Sequence, residues 1–84
     1  MAEARDPNMR WSSSSNKWVD IRTLHDRHLL SAYRSLERGE YREDDGEPPC
    51  VEDGIRLREA FDAEFGRREM DPAYPTGYAP REGA

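Results

Sequence analysis

Large aliphatic side chains are scarce in this chain: Leu, Ile, Val and Phe together supply 11 of 84 residues. That share, about 13%, lies below the roughly 20% under which chains tend toward disorder. Disorder also calls for a high net charge, whereas here 13 Lys and Arg largely offset 18 Asp and Glu, leaving a formal charge of −5. The composition points to one small, partly ordered domain with long flexible ends. Cysteine is nearly absent, and the lone Cys50 excludes an internal disulfide. No run approaches the roughly 20 apolar residues that cross a bilayer, and residues 1–17 lack the apolar middle of a secretory signal. The expectation is a cytoplasmic protein with no membrane partner. An acidic chain is also a poor general ligand for phosphate backbones, which argues against direct nucleic-acid binding. Lysine is almost missing as well: 12 of the 13 basic residues are Arg, whose planar guanidinium suits contacts to carboxylates.

What is present falls into three stretches. Residues 1–17 carry Pro7, four successive serines and Asn16 without an apolar period, and read as a flexible arm in which Trp11 stands out. Residues 18–66 read as a helical hairpin. Thr23 and Asp26 have the spacing of a capping box, and Leu29, Ala32, Tyr33 and Leu36 fall on one helical face, predicting a helix over 24–38 that stops at Gly39. The loop over 39–50 holds two glycines, two prolines and a cluster of acids. The prolines 48 and 49 predict a second helix to 65, closed by Gly66, with Val51, Ile55, Leu57, Ala60, Phe61 and Phe65 as its apolar face. Residues 67–84 contain three prolines and no period and read as an extended tail with Tyr74 and Tyr78. The predicted fold is therefore all-α: a two-helix αα-hairpin with flexible tails. Its thin core implies completion by a second copy or by a partner.

Enzyme chemistry finds little footing in these residues. His25 and His28 could share a helical face, but a closed tetrahedral metal site needs four ligands and the chain has two His and one Cys. Cys50 precedes a helix, where a thiolate is favoured, yet nothing nearby supplies a positioned base. The acidic loop lacks the alternating ligands and closing Glu of an EF-hand. The expectation is no enzyme, no catalytic residues, no metal and no cofactor.

Binding has more to work with. Between positions 40 and 53 stand Glu40, Glu43, Asp44, Asp45, Glu47, Glu52 and Asp53 against the single base Arg42. Such carboxylates could occupy a basic groove in place of phosphates. Trp11, Tyr41, Tyr74 and Tyr78 are the aromatic anchors expected beside them.

The stretch KWVDIRTLHDRHLLSAYRSLER, with Trp18, Leu24, His28, Leu29, Leu36, Glu37 and Arg38, resembles a group of small uncharacterised bacteriophage and prophage proteins. They share a Trp, a short apolar turn, a His-Leu pair and a helix ending Leu-Glu-Arg, followed by a second helix, here 57–68. The resemblance covers about half the chain and brings no catalytic residues. It implies a phage protein acting in the host cytoplasm, and its size and charge suit an anti-CRISPR-like inhibitor of a host nucleic-acid-binding or defence complex. The alternative is a structural or accessory component of the virion or replication apparatus, working as a helical homodimer.

Overall fold

A computed structural model describes residues 6–80; the first five residues of the expected arm and the last four of the expected tail lie outside it. The all-α expectation is overturned. Strands β1 (Met9–Ser12) and β2 (Lys17–Asp20) form an antiparallel hairpin, followed by a 3-10 turn (Ile21–Thr23), helix α1 (Asp26–Glu37) and helix α2 (Val51–Arg68). The fold is α+β, and β1 lies within the stretch expected to be a flexible arm.

The serine run makes the hairpin possible. Residues 13–16 form the connection, with Asn16 at φ 54°, a left-handed conformation that Asn tolerates better than most residues. Met9 pairs with Asp20, Arg10 with Val19, Trp11 with Trp18 and Ser12 with Lys17. The two indoles meet edge to face at 5.6 Å, a cross-strand aromatic pair of the kind that stabilises a short hairpin. Trp11, expected as an exposed anchor, packs against the core, and Trp18 packs on Trp11.

Helix α1 starts two residues later than its apolar pattern suggests. The capping box does not form: Thr23 donates its hydroxyl to the Asp20 carbonyl, and His25 occupies the cap position without a side-chain bond. The stop is as expected. Gly39 adopts φ 72°, the Gly39 amide donates to Leu36 and the Glu40 amide to Ser35, which together make a Schellman motif.

Helix α2 runs through Gly66 instead of ending there. It closes three residues later, where Glu69 takes φ 58° and the Met70 amide reaches the Phe65 carbonyl. Met70 is buried against the core, the hydrophobic contact that commonly accompanies this closure.

Ile21, Leu29, Leu30, Ala32, Tyr41, Leu57, Ala60, Phe61, Phe65 and Met70 form one cluster. The Tyr33 ring stands edge-on to Phe61 and Phe65 at 5.6 and 5.1 Å. Two residues expected on this face are outside it: Val51 is 79% and Ile55 53% exposed. At about 100° per residue, Ile55 points some 200° away from Leu57, so no single helical face could bury both.

The segment after α2 is a strap, not a free tail. Met70 is buried, Asp71 donates its amide to the Gly77 carbonyl, and Arg34 donates to the carbonyls of Pro72, Tyr74 and Pro75. Gly77 is required at its crossing point, since a Cβ there would lie 2.5 Å from Met70 Cε and 3.1 Å from Leu30 Cδ1, at φ 85°.

Candidate functional site

Two arginine-centred junctions hold the added pieces to the helical pair. The first is at the C-terminal end of α2. Glu64 is only 4% exposed and receives Arg67 Nε at 3.0 Å, a second bond from Arg67 Nη2, and Arg68 Nε at 2.6 Å. Arg68 continues outward: Nη1 donates to Asp26 at 3.0 Å and Nη2 to the Arg22 carbonyl at 3.2 Å. Asp26 also accepts the Tyr78 hydroxyl at 2.7 Å. One network, buried at Glu64 and Arg68 and open to solvent at Asp26, Arg67 and Tyr78, thus joins the 3-10 turn, α1, α2 and the strap. Its carboxylates are held below their ordinary pKa values, Glu64 first by its bond from Arg67 and Asp26 first by its bond from Tyr78.

The second junction joins the hairpin to the loop after α1. Tyr41 is buried in the core, so it is no surface anchor, and its hydroxyl accepts the Trp11 amide at 2.8 Å. That bond satisfies an edge N–H of β1 that the two-stranded sheet leaves unpaired. The Arg10 guanidinium lies 5.2 Å from the Tyr41 ring centroid, a cation-π contact, while its Nε is buried with no hydrogen-bond partner. Burial pushes the Arg10 guanidinium below its ordinary pKa, with Tyr41 offsetting part of this. Arg22 and Arg67 shift the opposite way because Asp20 and Glu64 hydrogen-bond them. Spacing alone did not single out Arg10; its place in the middle of a short alternating strand was the available signal.

The acidic segment takes a defined shape. Glu43 and Glu47 close a tight turn, the Glu43 amide donating to the Glu47 carbonyl at 2.8 Å and the Gly46 amide to the Glu43 carbonyl at 2.9 Å. Asp45 caps the turn by accepting the Glu47 amide at 3.0 Å. Asp44, Asp45 and Glu47 project exposed from it. Glu40 pairs with Arg38 at 3.0 Å and Glu52 approaches Arg56 at 4.0 Å, while Asp53 sits on the first turn of α2. The fourteen-residue acidic stretch is therefore not one uniform patch: its exposed centre is the turn.

Tyr74 and Tyr78 are partly exposed on the strap, with the Tyr78 hydroxyl committed to Asp26. His25 and His28 stack with ring centroids 4.2 Å apart, and Cys50 is exposed at the start of α2. Among the described residues, no three His, Cys, Asp or Glu side chains come together as metal ligands, and no helix is long and apolar enough to cross a membrane. No family model matches the chain, and no curated protein or solved structure matches it.

Proposed function

We propose that this chain is a small binding protein, without enzymatic activity, that inhibits or modulates a larger machine by setting its acidic turn on a basic surface. The observation that carries this reading is the closed turn over 43–47, which presents Asp44, Asp45 and Glu47 on a backbone fixed by its own hydrogen bonds. Carboxylates carried on a backbone fixed before contact lose less conformational freedom on binding than carboxylates on a floppy loop. They would accept hydrogen bonds from partner arginines or lysines where nucleic-acid phosphates otherwise lie. The resemblance of the stretch from Trp18 to Arg38 to phage proteins supports a partner in the host cytoplasm, a nucleic-acid-binding or defence complex engaged as anti-CRISPR proteins engage theirs.

A tagged pull-down from bacterial host lysate, run at low and high salt beside the triple variant Asp44→Ser, Asp45→Ser and Glu47→Ser, tests this. The reading expects one nucleic-acid-binding complex retained at low salt, weakened at high salt as the Debye length shortens from about 10 Å at 0.1 M to about 3 Å at 1 M, and lost with the variant. Full retention by the triple variant would overturn it. The exposed Val51 and Ile55, lining a groove with Leu36, support the second reading of a helical dimer in a phage structural component. Salt-insensitive recovery of the chain with itself alone would favour that reading.

A further inference from the structure

The β-hairpin and α1 enclose a groove of about 360 Å³ between them. Its polar wall is built from Arg10, Ser12, Ser14, His28, Ser31 and Ser35, and among the described residues no carboxylate lines it. Val19, Leu24 and Ala32 give it an apolar side. The one guanidinium that the described residues place here is half-buried, and its contact is the face of Tyr41, which attracts a cation but accepts no N–H hydrogen bond in the way an oxygen does. Its Nε is buried without a hydrogen-bond partner, out of reach of a ligand in the groove, which leaves the Nη groups to meet one. A cation drawn out of water normally finds an anion, as Arg68 does on the other side of the molecule.

We propose that this groove binds a phosphomonoester, with Arg10 meeting the phosphate oxygens, Ser31 and the hydrogen-bonded Ser12–Ser14 pair donating to them, and the apolar side holding the organic group, while the Ser35 hydroxyl stays committed to the Ala32 carbonyl. A tetrahedral oxyanion matches a guanidinium flanked by hydroxyls, because it accepts several charge-assisted hydrogen bonds at once. The groove on the far side of Ser31 is a poorer fit. Three arginines line it, but Arg34 is engaged by the strap carbonyls and Arg38 by Glu40, and Asp26 places a carboxylate there. The phosphomonoester site shares no residue with the acidic turn, so it stands or falls independently of the function proposed above.

The test is a two-dimensional NMR titration of the full chain with phenyl phosphate and, separately, inorganic phosphate, at one pH and constant ionic strength. The expected result is saturable shifts centred on residues 10, 12, 14, 31 and 35, with phenyl phosphate binding severalfold more tightly than inorganic phosphate. Arg10→Met should weaken binding by about tenfold or more, the loss of a charge-assisted contact. Ser14→Asp, at an exposed position on the hairpin connection, puts a carboxylate on the rim without touching the core and should weaken it in the same direction. Shifts that never saturate, shifts centred on Arg27, Arg34 and Arg38, or equal binding of the two probes would each overturn the proposal. So would unchanged affinity in both variants.

Discussion

Arg68 and Arg10 each fasten a peripheral segment to the helical pair, yet their surroundings are opposites. Arg68 has a side chain 12% exposed and is held by Glu64, Asp26 and a backbone carbonyl. Arg10 is held by an aromatic face and leaves its Nε without a partner. The difference teaches which charges serve the fold. Where a buried cation is fully matched, removing one member leaves the rest stranded; where it is unmatched, removing it takes away an electrostatic cost along with a contact.

The largest effect is expected at Glu64. Glu64→Ala removes the buried carboxylate that Arg67 and Arg68 share and should lower stability by about 2–3 kcal/mol in denaturant unfolding, since Arg67 is 65% exposed and Arg68 keeps Asp26. A loss below about 1 kcal/mol would break the contrast between the junctions. The same carboxylates set a pH dependence. Glu64 and Asp26 have folded-state pKa values below their unfolded ones, so the unfolded state binds more protons and stability rises with pH through the acidic range. Their contribution is full above the ordinary carboxylate range near about 4 and is lost as pH falls below it. Thermal melts of the parent chain should show that loss, and Glu64→Ala should flatten it.

Tyr41→Phe comes next. It deletes the acceptor for the Trp11 amide while keeping the ring under Arg10, and should cost about 1–2 kcal/mol. Hydrogen exchange at the Trp11 amide should accelerate by a matching factor, whereas unchanged exchange would mean that this bond does not anchor the hairpin.

Arg10→Met sharpens the comparison from the other side. Methionine keeps an unbranched side chain against the Tyr41 ring and removes the unmatched cation, so stability should change by less than about 1 kcal/mol. A loss as large as that of Glu64→Ala would show that Arg10 carries the fold as Arg68 does.

The two helices were legible because their apolar residues repeat with the helical period over about two turns or more, as Leu29, Ala32, Tyr33 and Leu36 do. Gly39 was legible as a stop because the position after a helix often needs a positive φ. The hairpin was not, since four residues a side are too few to establish an alternating pattern and a run of serines resembles a linker. Two signals pointed to it: Asn16, a residue suited to a left-handed turn position, and the two tryptophans that pair across the strands. Among the candidate binding residues, the acids Asp44, Asp45 and Glu47 are exposed as their charge suggests. Tyr41 and Trp11 went inward, since an aromatic ring beside a small core lowers the free energy more by covering it than by facing water.

The sequence by itself determined the two helices, the glycine that ends the first, and the acidic loop between them, because helical period, turn propensity and charge act over a few neighbouring residues. Only the tertiary structure decided the hairpin, the strap and the roles of individual arginines. Arg10, Arg34 and Arg68 are the same residue type in equally polar stretches. One lies over a ring, one gathers three carbonyls and one joins Glu64, four residues back on its own helix, to Asp26, 42 residues away; each role is completed by chain 30 or more residues distant. A guanidinium satisfies its charge and donors wherever folding delivers acceptors, and that delivery is a property of the packed chain.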